Sequence, residues 1–397
     1  MRKALEGSQA IAQTVALCRP QVVAAYPITP QTHIVENIAK LVANGKMECE
    51  LVSVESEFSA ASLVLGAASA GSRTYTASAS QGILLMSEVL YNIAGLRIPM
   101  VMTCANRAIS APLSIWNDQQ DSMAVRDAGW IQLYCSDNQE AVDTTIQAYR
   151  ISEATELPVM VCMDGFTLTH TLEPIDIPDQ KMVDTYLPPF NFSRALDPLK
   201  PTSVGTLVSP DHYSEARHSH HHALLDAINE IVAADTDWQQ LSGRSAGSLL
   251  SVDGPADAHI GILTLGSIFG TLCAARDTFT ELPATKLIKL RSYRPFPVDA
   301  LRQACSELTD LIVLERALSP GFGGIVSSEV QAALTHMASE VRVHSFAVGL
   351  GGRDMPLEIY RKLHKQVEVA VPAPFSIIDV ELEKLSAEDH GTGAATN

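Results

Sequence analysis

The stretch Leu51–Met86, LVSVESEFSAASLVLGAASAGSRTYTASASQGILLM, decides the fold. It begins with an apolar segment that leads into two carboxylates, Glu55 and Glu57. The small residues of Ala60–Gly71 favour a helix whose backbone packs closely against a neighbouring element. A second β-rich segment, Thr74–Ala77, then runs into a polar turn. This order of acid, helix, strand and turn predicts a crevice at the carboxyl ends of parallel strands, with the acid at its mouth.

The rest of the chain extends this alternation of helices and strands. Up to about residue 170 the predicted strands are near-continuously apolar, which indicates a parallel sheet covered on both faces. From about Thr171, prolines interrupt the pattern, and we expect an extended arm with one helix from Ser214 to Ala234. A second α/β unit begins at Ile260. We therefore predict an α/β fold with a doubly wound parallel-sheet domain at 1–170, an arm and linker at 171–257, a second α/β domain at 258–370, and a partly disordered extension at 371–397.

Composition excludes several classes of protein. The net charge of −17 argues against unspecific binding to nucleic acid or anionic membranes, which requires basic patches. No apolar run approaches the ~20 residues of a membrane span, and we see no signal peptide, so we expect a cytoplasmic protein. The seven cysteines are scattered singly, without a CxxC motif. We therefore expect neither a disulfide framework nor a zinc or iron–sulfur site held by this chain alone.

Several conspicuous motifs have an ordinary structural explanation. The glycine-rich segments Gly321–Gly324 and Gly349–Gly352 match neither GxGxxG nor GxxxxGK[ST], and we interpret them as tight strand-to-helix turns. Neither GxSxG nor HExxH occurs, so nothing supports a catalytic triad or a zinc hydrolase. The histidines of the segment His218–His222 fall inside the predicted arm helix. Metal binding there would lack cysteine or spaced carboxylate ligands, and we interpret the cluster as a solvated helix face.

Three polar residues beside predicted strands are candidates for chemistry. Glu57 could stabilise a helix N-terminus, a role that Glu55 could fill equally well, or it could share a proton with a ring nitrogen in a dry cleft. Arg107 opens the long loop Asn106–Asp121 and is either a surface residue or an anchor for a substrate carboxylate. Thr29 stands between two prolines and could offer its hydroxyl to the same cleft or cap the next helix. The residues alone leave these alternatives open.

Motifs in a defined order carry a family resemblance. They are AAYPITPQT (Ala24–Thr32), VESEFSAASLVLGAASAGSRTYTASASQGILLM (Val54–Met86), NRAISAPLSIWNDQQDSM (Asn106–Met123), LPVMVCMDGF (Leu157–Phe166), SYRPFP (Ser292–Pro297) and LERALSPGFGG (Leu314–Gly324). Together they resemble the alpha subunit of the 2-oxoacid:ferredoxin oxidoreductases, which depend on thiamine diphosphate. Pyruvate:ferredoxin oxidoreductase is the best-known type, and the resemblance spans nearly the whole chain.

The resemblance implies roles for individual residues. The first domain would bind the pyrimidine end of thiamine diphosphate, and the second would be like the C-terminal domain of transketolase. By its position in VESEF, Glu57 rather than Glu55 matches the glutamate that bonds the pyrimidine ring nitrogen and so promotes activation of the cofactor. Thr29 and Arg107 match polar residues near the substrate, and Arg107 would hold the 2-oxoacid carboxylate. The further positions implied are Tyr26, Pro27, Ile28, Ser80 and Gln81 for the cofactor and Leu113 and Ile115 for the substrate pocket.

A missing motif implies a partner. Thiamine enzymes usually fix the diphosphate through Mg²⁺ at a GDG sequence followed by asparagine. This chain has no GDG, and Met163-Asp164-Gly165 is only a partial match in the wrong place. We therefore expect half of an active site and no metal ligand on this chain. A beta subunit would bring the diphosphate and Mg²⁺ site, and gamma and delta subunits or domains would complete the complex, with [4Fe-4S] clusters on those other chains.

The activity implied is oxidative decarboxylation of a 2-oxoacid to an acyl-CoA, with electrons passed to ferredoxin. Pyruvate is the expected substrate because it is the commonest among close relatives. The main alternative is an aryl or branched 2-oxoacid, such as phenylglyoxylate, with NAD as the final acceptor. Charged 2-oxoglutarate is disfavoured because no second cation is evident in the Asn106–Asp121 loop. A non-catalytic scaffold subunit and a thiamine-dependent decarboxylase without redox partners are the alternatives from other classes.

Overall fold

The computed structural model describes residues 2–337, 340–369 and 371–385. The helices within these ranges are α1 (Gly7–Leu17), α2 (Thr32–Ala43), α3 (Glu57–Ser69), α4 (Ser80–Leu85), α5 (Ser87–Gly95), α6 (Gln120–Ala124), α7 (Asn138–Thr155), α8 (Gln180–Tyr186), α9 (Pro210–Ser242), α10 (Ile268–Thr278), α11 (Val298–Ala304), α12 (Ile325–Leu334) and α13 (Glu358–Val367). Short 3₁₀ turns lie at Leu350–Gly352 and Leu382–Lys384. No helix in the described ranges combines the length and the apolarity that crossing a membrane requires.

The strands form two large sheets and one small pair. They are β1 (Lys3–Glu6), β2 (Val22–Ala25), β3 (Glu50–Ser53), β4 (Thr74–Ser78), β5 (Val101–Asn106), β6 (Ile131–Cys135), β7 (Val159–Asp164), β8 (Leu172–Ile175), β9 (Leu250–Asp253), β10 (Ile260–Thr264), β11 (Thr285–Leu290), β12 (Ser292–Arg294), β13 (Asp310–Glu315), β14 (Arg342–Ala347) and β15 (Ser376–Ile377). β1 and β8 pair with each other in antiparallel orientation, outside the two large sheets.

The first large sheet has the order β12-β6-β7-β5-β4-β2-β3. Its strands are parallel except β12, which pairs antiparallel with β6. Every residue of β4, β5, β6 and β7 is buried, because helices α1, α2 and α7 cover one face and α3, α4 and α5 cover the other. The predicted doubly wound parallel sheet is confirmed.

The second large sheet has the order β15-β14-β13-β10-β11-β9 and is parallel except for β9 at its edge. Helices α10 and α13 pack on one face, and α11 and α12 share the other face with the first domain's core. A second α/β unit is therefore present, as the strand pattern from Ile260 onwards predicted. Leu250–Asp253, which we had placed in the linker, forms the edge strand β9 of this sheet.

Most differences from prediction fall on short elements, although the ten-residue helix α13 was not predicted either. β12 follows the second unit's strand β11 in the chain but pairs with β6 of the first sheet. The pattern also failed to indicate β1, β6, β8 and α8, because runs of three to seven residues carry little periodicity and their pairing depends on distant segments. The sequence pattern over Leu84–Ala94 predicts one helix, whereas the structure contains two, α4 and α5, separated at Met86. The segment Ala387–Asn397, predicted to be disordered, lies outside the described residues.

The arm helix is longer than predicted. α9 spans 33 residues and begins with proline at its first position, where the missing N–H costs nothing. It ends at Gly243, whose left-handed backbone (φ 76°) closes the helix. Of the clustered histidines, 218, 221 and 222 are exposed as interpreted. His220 differs, because it is buried and its ring lies 3.3 Å from the Gly129 carbonyl oxygen.

A buried carboxylate joins the two α/β units. Asp164, the last residue of β7, accepts hydrogen bonds from the Ser267 backbone (2.8 Å) and from Arg316 Nη1 (2.9 Å), both in the second unit. Gln119 Nε2 approaches its other oxygen at 3.1 Å. Gly266 allows this approach, since a Cβ there would lie 2.8 Å from Asp164 Oδ2 and its φ is +66°. The aspartate of the partial GDG match therefore serves as an interdomain contact.

Replacing this aspartate tests the interdomain contact. We expect Asp164→Asn to lower the free energy of unfolding by about 3 kcal/mol, because it leaves the Arg316 guanidinium buried without its counter-ion. Denaturant unfolding of the purified chain measures the change. Asp184→Asn is the matched control: its partner Arg19 is exposed, so we expect a change within about 0.5 kcal/mol. Equal effects of the two substitutions would contradict the assigned importance of Asp164.

Candidate active site

The two neighbouring glutamates of the deciding stretch occupy different environments. Ser56 is the N-cap of α3 and accepts the Ser59 N–H at 3.2 Å, so Glu57 becomes the first residue of the helix. Its side chain is buried, with 7% exposure, and no described residue donates a hydrogen bond to its carboxylate. Glu55 is exposed and accepts the Ser59 hydroxyl at 2.5 Å, a bond that lowers its pKa. Only Glu57 combines burial with free acceptor capacity.

A glycine lies against the Glu57 carboxylate. A Cβ at Gly82, in α4, would stand 2.6 Å from Glu57 Oε1 and would also collide with Ser78 Oγ. The Ser78 hydroxyl is itself buried and has no hydrogen-bond partner among the described residues. A free carboxylate and an unpartnered hydroxyl beside one glycine suit a flat ligand that carries its own hydrogen-bonding groups. These residues fit the ring of thiamine, with Glu57 as the acceptor.

The loop after β5 is fixed by Asp121. This fully buried carboxylate accepts backbone N–H groups from Ser80 (2.8 Å), Arg107 (2.9 Å) and Ser122 (2.7 Å) and the Asn106 side-chain amide (2.8 Å). Burial raises its pKa, and the hydrogen bonds from these donors oppose that shift. Asp121 therefore ties the turn that opens α4 to both ends of the Asn106–Asp121 loop. Sequence reasoning did not single it out.

Arg107 is held so that part of its guanidinium remains available. Its Nη1 donates to the Thr29 carbonyl at 2.8 Å and its Nε to the Ser114 carbonyl at 3.1 Å. Within the described part of the chain, no carboxylate forms an ion pair with the guanidinium. Burial lowers the pKa of Arg107, while the nearby Asp121 charge opposes that effect. A buried cation that is fixed by two neutral carbonyls and keeps unused N–H donors is suited to an anion brought by a ligand.

The other predicted site residues differ in exposure and in hydrogen bonding. Thr29 contributes its carbonyl to Arg107, and its side chain is exposed, as are Tyr26 and Pro27, whereas Ile28 is half-buried. Ser80 is buried, donates its hydroxyl to the Ala108 carbonyl at 2.5 Å and also bonds Gln81. Gln81 in turn bonds the Ser110 side chain. The polar groups of Ser80 and Gln81 therefore bind the loop, and their predicted contact with a cofactor stays a prediction.

The substrate loop presents apolar side chains to solvent. Leu113 is 74% exposed, and Ile115 and Trp116 are 39% and 51% exposed. Other exposed apolar residues lie on segments near the carboxyl ends of β2, β3 and β4 of the first sheet: Tyr26, Phe58, Leu84 and Leu85. The carboxyl ends of parallel strands share an edge, so these side chains crowd the same side of the molecule as Glu57. Apolar surface of this kind marks a contact with another molecule.

The segment Gly321–Gly324 offers no free helix N-terminus to a phosphate. Gly324 is the N-cap of α12, and the N-terminus of this helix is occupied by the buried Glu315 carboxylate. Glu315 accepts the N–H groups of Ile325 (2.9 Å), Val326 (2.8 Å) and Ser327 (3.1 Å), the donors that a phosphate would need. The interpretation of this segment as a strand-to-helix turn is confirmed.

Two family models together match most of the chain. Residues 13–234 match the family described as "Pyruvate flavodoxin/ferredoxin oxidoreductase, thiamine diP-bdg", and residues 258–359 match "Pyruvate:ferredoxin oxidoreductase core domain II". The chain belongs to the alpha subunits of the 2-oxoacid:ferredoxin oxidoreductases. The family resemblance and the enzyme class predicted from the motifs are confirmed.

Relatives of this alpha subunit are similar over nearly their whole length. Pyruvate synthase subunit PorA of Methanosarcina barkeri is 42% identical over 378 residues, which cover 94% of each chain. PorA of Methanothermobacter thermautotrophicus is 45% identical over 89% of this chain and 92% of its own. Ketoisovalerate oxidoreductase subunit VorA of Pyrococcus horikoshii is 35% identical over 96% of this chain and 97% of its own.

A solved structure shares the fold. It is the 2-oxoglutarate:ferredoxin oxidoreductase from Magnetococcus marinus with 2-oxoglutarate, coenzyme A and succinyl-CoA bound, at a TM-score of 0.70 and 20% identity. The superposition covers 92% of this alpha subunit, which spans 65% of the length of that solved chain. The likeness supports the two-domain α/β architecture, while the roles of single residues stay predictions.

The site contains an acid that sequence reasoning missed. Asp118 is buried where the loop meets the second unit, and it accepts the N–H groups of Gln120 (3.0 Å) and Gly351 (3.4 Å). Burial raises the pKa of Asp118 to about 7, and the nearby Asp121 charge adds to the effect. A polar run such as WNDQQD carries no signal for this burial, because the second unit that covers Asp118 is distant in sequence.

The raised pKa predicts a pH dependence of stability. The folded chain keeps a proton on Asp118 up to about pH 7, whereas the unfolded chain loses it near pH 4, so this group's contribution to stability falls as the pH rises from 4 to 7. We expect Asp118→Asn to flatten that dependence and to stabilise the chain at pH 8 by about 1–3 kcal/mol. Denaturant unfolding at several pH values measures it.

Glu55 provides the control for this measurement of stability against pH. Glu55 is exposed, and its pKa is lowered, so Glu55→Gln removes a contribution of opposite sign, one that is lost as the pH falls below about 4. The assignment of Asp118 fails if wild type and Asp118→Asn keep a constant stability difference between pH 4 and pH 8.

Proposed function

We propose that this chain is the subunit that binds the thiamine ring in a complex converting pyruvate and CoA to acetyl-CoA and CO₂. The observation that carries the proposal is the buried Glu57 carboxylate, which lies against Gly82 with no donor from the described residues. Electrons would pass through [4Fe-4S] clusters on partner subunits to ferredoxin. The proposed cofactor residues beside Glu57 are Tyr26, Pro27, Ile28, Ser80 and Gln81.

Glu57 would position a proton on the cofactor. Thiamine diphosphate supplies, when bound, the carbon nucleophile and the electron sink that decarboxylation of a 2-oxoacid requires. The Glu57 carboxylate would accept a hydrogen bond from the protonated pyrimidine ring nitrogen, in a site from which water is largely excluded. The low exposure of Glu57 supports this role, because a charge-assisted hydrogen bond is stronger where the local dielectric constant is low.

Arg107 would bind the substrate carboxylate. Its side chain donates a hydrogen bond to the Thr29 carbonyl and has no acidic partner among the described residues. A 2-oxoacid carboxylate would supply the missing charge, and the planar guanidinium would orient it. Leu113 and Ile115 would line the pocket for the rest of the substrate, and the Thr29 hydroxyl would stand at the same edge.

A beta subunit would complete the site. The aspartate of the partial GDG match is engaged by Arg316 and Ser267, so it is not available as a Mg²⁺ ligand. The exposed apolar side chains around Glu57 support coverage by another polypeptide, which would bring the diphosphate and Mg²⁺ site. Gamma and delta subunits or domains would contribute the route for electrons.

The relatives favour pyruvate over a branched substrate. The PorA relatives named pyruvate synthase are 41–45% identical to this chain, and the VorA relatives named ketoisovalerate oxidoreductase are 35–37% identical. A branched 2-oxoacid is therefore the second candidate. The two substrates differ only in the apolar part that Leu113 and Ile115 would meet, so the same arginine would serve either.

Substitution of Glu57 tests the proposal. In the native complex, assayed with pyruvate, CoA and ferredoxin, we expect Glu57→Gln to lower kcat by at least about 100-fold, since an amide cannot hold the proton in the same way. Glu55→Gln, two residues away and exposed, is the matched control and should keep the wild-type rate. Undiminished turnover of Glu57→Gln in an intact complex would support a non-catalytic scaffold instead.

Substitution of Arg107 separates binding from chemistry. We expect Arg107→Lys to raise KM for pyruvate about 10- to 100-fold, because the ammonium group lacks the planar pair of donors. KM for CoA should stay unchanged. A panel of pyruvate, 2-oxoisovalerate, phenylglyoxylate and 2-oxoglutarate, assayed with the wild-type complex, identifies the substrate. An unchanged KM for every 2-oxoacid in the variant would exclude Arg107 from the substrate site.

A further inference from the structure

Three potential metal ligands converge outside the proposed active site. Glu6 ends β1, His33 lies in the first turn of α2, and His170 follows β7 in the turn before β8. One ligand atom from each lies within 4.8 Å of the other two. Within the cluster, His33 Nδ1 is 2.7 Å from Glu6 Oε1, and the rings of His33 and His170 are 4.4 Å apart between centroids. All three residues are half-buried.

We propose that Glu6, His33 and His170 form a binding site for a divalent transition-metal ion, with Zn²⁺ as the expected occupant. Two imidazoles and one carboxylate are a known zinc ligand set, with a fourth position open to water. Around Zn²⁺ with bonds of about 2.0–2.1 Å, tetrahedral ligand atoms stand roughly 3.3 Å apart. The observed separations, 2.7 Å between His33 Nδ1 and Glu6 Oε1 and at most 4.8 Å for the others, lie near that value, and the His33 and His170 rings, whose planes are 33° apart, would turn to direct both nitrogens to one ion. The ion would replace the proton shared by His33 and Glu6.

The surroundings of His170 suit a metal ligand. Its Nδ1 lies 2.7 Å from the hydroxyl of Thr169, a buried residue that also accepts the Phe166 N–H at 2.8 Å. The Thr169 carbonyl accepts the Ser8 hydroxyl at 2.8 Å, which anchors this turn to α1. With Nδ1–H donating to Thr169 Oγ1, the lone pair on Nε2 is left for the ion, the usual arrangement of a ligating histidine.

The bound ion would hold together two segments that contact the proposed substrate loop. His33 lies four residues after Thr29 in the chain. The His170 ring packs on Phe166 (4.7 Å between centroids), and Phe166 packs on Trp116 of the loop (4.5 Å). Binding at the cluster would therefore fix the amino end of α2 against the turn that carries Phe166. Its expected consequence is higher stability, because the ligand set is assembled only in the folded chain.

Metal titration of the full chain tests the site. The exposed histidines 218 and 222 on α9, whose rings are 4.1 Å apart, could bind metal separately, so the reference protein carries His218→Ala and His222→Ala. After removal of metals with a chelator, we expect this protein to bind one Co²⁺ per chain with visible absorption bands, to exchange it for Zn²⁺, and to gain thermal stability with either ion.

Substitutions in the reference protein locate the binding. We expect His33→Ala and His170→Ala to abolish the Co²⁺ bands, and Thr169→Val to weaken binding about 10-fold through loss of the outer hydrogen bond. If circular dichroism shows that a histidine variant does not fold, Glu6→Gln, whose side chain is nearly equal in size, provides the deciding measurement of Co²⁺ affinity. Absence of Co²⁺ and Zn²⁺ binding in the reference protein, or unchanged affinity in Glu6→Gln, would reduce the cluster to an ion pair and overturn the proposal.

Discussion

The candidate site depends on one buried carboxylate, that of Asp121. It gathers the backbone N–H groups of Ser80 and Arg107, which belong to the ends of different strands, β4 and β5. The first bond sets where α4 begins, and hence where Gly82 meets Glu57. The second sets where the long loop begins, and hence where the guanidinium lies. Because a buried carboxylate without such donors would cost several kcal/mol, the two segments are held together as a unit.

The same region tolerates two charges that the chain itself does not neutralise. Glu57 and Arg107 are both largely buried, and neither has an oppositely charged partner among the described residues. Some other buried charges have a counter-ion, as Arg73 has Glu153. The buried Asp121 and Glu315 carboxylates accept several N–H groups instead. Unpaired buried charges are retained where a bound ligand supplies the opposite charge, since stability alone favours their removal. The Glu57 carboxylate, which has neither a counter-ion nor a hydrogen-bond donor among the described residues, is therefore the clearest physical sign of a ligand site.

Prediction from sequence succeeded where the information is local. The order of strands and helices around α3 and β4 follows from a short motif, whereas the choice of Glu57 over Glu55 as the site residue stays a prediction. The structure adds a reason, since the N-cap Ser56 separates the exposed acid from the buried one. Prediction failed where distant segments decide: β12 joins a sheet built from residues far earlier in the chain. Neither the interdomain role of Asp164 nor the Glu6, His33 and His170 cluster has a spacing that a sequence pattern could reveal.

The second unit affects the site without supplying any of its proposed residues. The Arg316 carbonyl accepts the Gln119 N–H at 2.8 Å, and Gly352 lies so close to Trp116 that a Cβ there would be 2.5 Å from the tryptophan Cβ. The loop that begins at Arg107 is therefore anchored at one end by the first sheet and covered at the other by turns of the second. Its apolar tip, with Leu113, stays exposed between these anchors. Because hydrogen bonds and close packing hold both anchors, a subunit docking on this edge would meet a loop that is already ordered at its two ends, which lowers the ordering cost of closing the substrate pocket.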